Sequence, residues 1–204
     1  MFSGVVILAA TAGANAQITR NLGGGWQVFI PDVDIIDIIR DDLVSSPTVL
    51  VLEKFATFKD FQALDLVFTQ TAPNAQTVTR IILTDEYVFN LTGLDWSAFE
   101  ITLTSQVPGN TAVFNPAASA SLSILPFTTT TYAPGNQQVT YGGGTVPDGT
   151  FWTPGVATGA IVIDLALNPR GNSTFTLRER PIPSPAGASL LAVAGIVAAG
   201  RRRR

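Results

Sequence analysis

The chain has 204 residues, 46% hydrophobic and 13% charged, with a formal net charge of −3; this composition excludes an intrinsically disordered chain and fits one domain flanked by processing segments. Setting aside the four terminal arginines leaves 8 of the 12 basic residues against 15 acidic ones, so the body repels phosphate backbones and no nucleic-acid partner is expected. Cysteine and histidine are absent, which removes disulfides, thiolate metal sites, the commonest zinc ligand and the usual base of serine or cysteine nucleophiles.

The opening "MFSGVVILAATAGANAQ" is apolar from Val5 to Ala10 and then turns to small residues. Ala14 and Ala16 flank Asn15 in a small-x-small pattern, which predicts a signal peptide over 1–16 cut before Gln17. Its n-region has no Lys or Arg, as expected if a basic start has been truncated. A short buried strand or helix is the alternative.

Next comes "DVDIIDIIRDD". A helical period through Ile35, Ile36, Ile39 and Leu43 predicts a short helix here. Asp32, Asp34 and Asp37 could supply oxygen ligands to calcium, but isoleucines stand where a calcium loop needs glycine or further oxygens. A solvated acidic edge, which deters sheet aggregation, accounts for the same residues. No cofactor is expected.

From there to Arg180 the dominant period is two. Leu64, Leu66 and Phe68 share a face in "ALDLVFTQ", as do Phe99, Ile101 and Leu103 in "FEITLT" and Ile161, Ile163, Leu165 and Leu167 in "AIVIDLAL". In "EYVFNL" the same rule places Tyr87, Phe89 and Leu91 opposite Glu86, Val88 and Asn90. Such segments are half-buried strands with one core face. Turn chemistry separates them at "NLGGG" 21–25, "SSP" 45–47, "APN" 72–74, "VPGN" 107–110, "APGN" 133–136, "GGG" 142–144, "PDG" 147–149 and "NPRGN" 168–172. Short spacing without helical stretches favours antiparallel connections and an all-β, jelly-roll-like sandwich over 17–180.

Trp26, Trp96 and Trp152 belong in the core of such a fold, the alternative being a row that stacks on sugar rings in a carbohydrate-binding module. Glu53, Glu86 and Glu100 could in principle pair for glycoside hydrolysis, but no spacing marks a pair, and enzymatic activity is not expected. Asn90-Leu91-Thr92 and Asn172-Ser173-Thr174 match a glycosylation triplet, though Asn90 falls inside a predicted strand. "TTTTY" at 128–132 reads as a β-branched strand or edge.

The tail, 181–204, has three parts. Pro181, Pro183 and Pro185 keep the backbone extended, residues 186–200 form an apolar run somewhat short for a bilayer span, and Arg201, Arg202, Arg203 and Arg204 hold the C-terminus on the cytoplasmic side. This order resembles the PEP-CTERM sorting signal of bacterial exosortase substrates, with Pro183-Ser184-Pro185 where the family has Pro-Glu-Pro. A plain tail anchor would need the same span and arginines but not the prolines. "EYVFNLTGLDWSAFEITL", "YGGGTVPDGTFW" and "FTLRERPIPSP" resemble the β-sandwich, choice-of-anchor domains that often precede such signals. The resemblance implies a non-enzymatic exported protein whose partners are signal peptidase, an exosortase-like membrane protease or transpeptidase, the inner membrane before cleavage, and then the cell surface or exopolysaccharide matrix.

Overall fold

The computed structural model describes residues 17–31, 36–40, 48–119, 125–154 and 160–185. Ala14, Ala16, Asp32, Asp34, the run 186–200 and Arg201 to Arg204 lie outside them. Among the described residues no helix is long and apolar enough to cross a membrane.

The body is all-β. Its strands in chain order are β1 (Ile18–Gly23), β2 (Trp26–Ile30), β3 (Ile36–Arg40), β4 (Val49–Phe58), β5 (Leu64–Gln70), β6 (Arg80–Asn90) and β7 (Trp96–Ser105). There follow β8 (Thr111–Phe114), β9 (Thr129–Tyr132), β10 (Gln138–Val146), β11 (Phe151–Trp152), β12 (Ile161–Ala166) and β13 (Thr174–Pro183). One sheet has the order β1-β2-β5-β13-β7-β10-β9 and the other β3-β4-β6-β12-β8, with β11 on β6 past the end of β12. Val28, Leu66, Phe99 and Leu177 of the first sheet share one core with Leu50, Leu52, Leu83 and Ile163 of the second, a sandwich-like arrangement.

Period-two reading holds for β5 and β7, and for the inner face of β12, although Val162 is buried as well and Leu167 lies past the end of that strand. Leu64, Leu66, Phe68, Phe99, Ile101, Leu103, Ile161, Ile163 and Leu165 are all buried, each contributing roughly 1.5–3 kcal/mol of apolar transfer free energy. The turns at 107–110, 133–136, 147–149 and 168–172 fall between strands, while of 21–25 only Gly24 and Gly25 do so, the first three residues belonging to β1; the threonine-rich segment is the edge strand β9.

Several expectations are corrected. The isoleucine-rich stretch is strand rather than helix: Ile36 to Arg40 pair with β4, because β-branched residues suit a pleated surface and tertiary pairing overrides a helical period. The sheets are not wholly antiparallel, since β4 pairs β6 in parallel. The chain crosses to the other sheet as β5 between them, and that crossover delivers β6 in the same direction as β4. Gly142–Gly144 are no turn but lie within β10, where the partners Gly142↔Ala98 and Val146↔Trp96 bracket a bulge. Gly144 is required there, because a Cβ would fall inside the carbonyl of Pro126.

The boundary expected at 180 lies inside β13, which continues to Pro183 against Trp96 of β7. Glu179 is the last β13 residue paired to β5, so Pro181 and Pro183 sit where that side of the strand has no ladder left to break. Pro181 is buried and Pro183 half-buried; only Pro185 of the three prolines is exposed. The backbone is extended as expected, but docked on β7 rather than free.

In β6 the face is reversed. Leu52↔Leu83 is followed by Glu53↔Asp85, so a bulge at Thr84 switches the strand's phase. Ile81 and Leu83 point inward before it; Glu86, Val88 and Asn90 point inward after it. Leu91, expected in the core, is 43% exposed.

Candidate functional site

The phase switch in β6 carries a carboxylate into the core. Glu86 is fully buried, as is Glu179, which follows Phe175 and Leu177 on the inner face of β13. Lys54 occupies the inward phase of β4 set by Leu50, Leu52, Ala56 and Phe58, and is 1% exposed. Lys54 and Glu86 are register partners on adjacent strands, while Glu179 reaches them from the opposite sheet.

Lys54 Nζ lies 2.5 Å from Glu86 Oε1 and 2.9 Å from Glu179 Oε2. Only the second contact has hydrogen-bond geometry. Burial pushes the Glu86 carboxyl up to about 8, against the opposing pull of the Lys54 charge and with further help from Glu179, so at neutral pH it holds its proton. Burial pulls the Lys54 ammonium down, but the charges of Glu179 and Glu86 outweigh it and raise its pKa. Glu86 Oε2 and Glu179 Oε1 receive no hydrogen bond from any donor group; a proton shared between the two carboxyls supplies one. The cluster is then neutral overall, with one cation, one carboxylate and one carboxylic acid inside an apolar core.

Aromatic rings wall one end of this core. Trp152 packs against Phe99, Phe127 and Tyr141 at centroid distances of 4.9–5.1 Å, and Trp96 meets Phe58 edge-on at 5.7 Å. Burial pushes the Tyr141 hydroxyl well above its usual range, helped by the charges of Tyr132, Glu86 and Glu179.

Trp26, Trp96 and Trp152 are at most 1% exposed. Trp26 Nε1 donates to the Val78 carbonyl and Trp96 Nε1 to Thr92 Oγ1, so none of these indoles offers a face to a sugar. Rings nearer the surface include Phe89 and Phe151, stacked at 4.2 Å, with Phe55 6.1 Å from Phe151. Asp37 pairs with Phe55 along β3 and β4, and among the described residues no group of three acidic side chains could hold a metal ion.

Of the carboxylates considered for hydrolysis, Glu100 bonds Arg180 and Gln138 on the outer face, Glu53 lies opposite Arg40, and Glu86 is sealed in the core. Surface depressions of about 460 Å3 beside Gln70 and about 470 Å3 beside Gln138 are lined without a carboxylate.

Asn90 is fully buried, so its triplet serves structure. Its Nδ2 donates to the carbonyls of Leu94 and Val146, and its Oδ1 accepts from the Thr92 backbone N–H and hydroxyl. Gln17, the expected mature start, and Asn172 are exposed. Ser184 N–H donates to the Asp95 carbonyl, which ties the last described residues to the body.

No known protein family, curated protein or solved structure matches this chain.

Proposed function

We propose that this chain is an exported, non-enzymatic surface or extracellular-matrix protein, sorted through its C-terminal segment by an exosortase-like partner. The observation that carries this reading is the order of the tail: Pro183-Ser184-Pro185, the apolar run 186–200, then Arg201 to Arg204. In it, residues 1–16 direct export, the body is a jelly-roll-like sandwich, and 186–200 form a short transmembrane helix that four arginines stop from crossing. Cleavage near Pro183 to Ala186 passes the body to the surface or to exopolysaccharide.

The body supports a structural role. Its tryptophans, its phase-switched glutamate and Lys54 are all committed to the interior, and the carboxylate pair Glu86 and Glu179 has no route to a sugar. A carbohydrate-binding module is the second reading; the stacked Phe89 and Phe151, with Phe151 53% exposed, would be its platform in place of the indoles.

The sorting claim is tested by expressing the full chain in its native cells beside a variant with Arg201 to Arg204 replaced by serine. Wild type should reach the surface without its tail, and the variant should enter the medium with its tail attached. Identical distribution of the two would overturn the reading.

A further inference from the structure

We propose that Lys54 and Glu86 condense within the folded body into an amide joining Lys54 Nζ to Glu86 Cδ, with Glu179 moving the protons. The amide rests on the body alone and stands or falls independently of how the tail is processed.

The geometry is that of a nucleophile, an acyl group and a base. Register holds Lys54 and Glu86 directly opposite each other on parallel neighbours. At 2.5 Å the amine lies closer to Glu86 Oε1 than the usual 2.7–2.9 Å of charge-assisted N–H···O bonds, roughly speaking, and without hydrogen-bond geometry. Its hydrogen bond is directed instead at Glu179 Oε2, at 2.9 Å. The amine is therefore held against one carboxyl while a proton of Nζ points at the other. Well-oriented intramolecular pairs reach effective molarities on the order of 10⁵–10⁸ M.

In water an ammonium and a carboxylate do not condense, because both stay ionised. Here burial keeps Glu86 protonated, which makes its carbonyl carbon an electrophile. Nζ gives one proton to Glu179 and attacks Cδ, forming the C–N bond. The C–OH bond then breaks, and the departing hydroxyl takes a second proton from nitrogen to leave as water. Starting from ammonium, carboxylic acid and the Glu179 carboxylate, the products are a secondary amide, one water and a protonated Glu179. Atoms and charge balance with no oxidant, reductant or activated donor. The buried ion pair is annihilated, so the step relieves the desolvation cost that opposes charges in a core, and the dry site opposes hydrolysis of the product.

The link would tie β4 to β6, the parallel pair of its sheet. A chain with no cysteine cannot staple itself by disulfides, and a cross-link closing the segment between residues 54 and 86 constrains the unfolded chain in the same way.

The test is mass spectrometry of the purified, denatured full chain, intact and after trypsin. The expected result is a mass lower by one water, loss of cleavage after Lys54, and residues 41–59 found joined to residues 81–170. Lys54→Arg and Glu179→Gln should restore the unmodified mass, while Glu86→Gln should lose ammonia instead of water and give the same joined peptides. Should any variant fail to fold, the wild-type digest still decides. Full mass with residues 41–54 separate from 81–170, or a link to Glu179 in place of Glu86, would overturn the proposal.

Discussion

Removing the cation from the core cluster should be far more damaging than removing the whole cluster. Lys54→Met keeps much of the side-chain volume but leaves Glu86 and Glu179, both 0% exposed, facing each other without a cation. Glu86 already carries a proton at neutral pH, so the cost falls on the carboxylate that loses its 2.9 Å ammonium contact. Leaving that carboxylate buried without its cation costs roughly 3–5 kcal/mol, as when one member of a buried ion pair is deleted. The triple variant Lys54→Met, Glu86→Leu, Glu179→Leu removes every charge and should be more stable than the single variant by about the same amount. Neither variant can form the amide, so their difference isolates the electrostatic cost. The assay is urea unfolding at pH 7, with stability read from midpoint and slope. A triple variant no more stable than the single one would refute the buried-charge reasoning.

Asn90→Ala should cost about 3 kcal/mol in urea unfolding, since hydrogen bonds to loop 91–95 and to Val146 at the end of β10 are lost at roughly 1 kcal/mol each; a cost below about 1 kcal/mol would contradict the clamp. Gly144→Ala should lower the thermal midpoint by the equivalent of at least about 1–3 kcal/mol, because the added methyl meets Pro126 backbone that a side-chain rotation cannot move. The hydrogen bond from the Arg80 guanidinium holds the Asp164 carboxyl below its usual range against the effect of burial, with help from Asn115. Its stabilisation is therefore present above pH ~4, the ordinary carboxylate range, and lost as pH falls through the lowered folded-state value. Both partners are at least a third exposed, so solvent screening limits the effect to under about 1 kcal/mol. Asp164→Asn should flatten the acid limb of a stability-against-pH curve by that small amount.

Strand content and the inward faces of β5, β7 and β12 were legible because their alternation is uninterrupted and their turns carry glycine, proline and asparagine at strand ends. Phase was not legible in β6. A bulge adds one residue against β4, and in "TDEYVFNL" the large apolar residues after it stand on the outer face, so hydrophobicity alone picks the wrong side. The core cluster was hidden for a related reason. "VLVLEKFATF" is apolar on both faces, and its two adjacent charges gave no sign of which points inward. A usable signal did exist: Lys54 is in phase with Leu50, Leu52, Ala56 and Phe58, and Glu179 with Phe175 and Leu177. A charge in the core phase of an otherwise apolar strand requires a buried partner, and two such charges of opposite sign predict each other. The parallel pairing of β4 and β6 depends on which sheet each strand joins, a long-range choice that local periodicity does not encode. Pro181 and Pro183 read as breakers because proline disrupts a paired strand, whereas here they lie beyond the last β13 residue paired to β5.

Export followed by removal of the tail is tested most directly by intact-protein mass spectrometry on membrane, surface and medium fractions of the native cells. The expected species in the surface fraction begins at Gln17 and ends near Pro185. A species that retains Arg204 and stays in the membrane fraction would contradict the account and leave a tail-anchored protein.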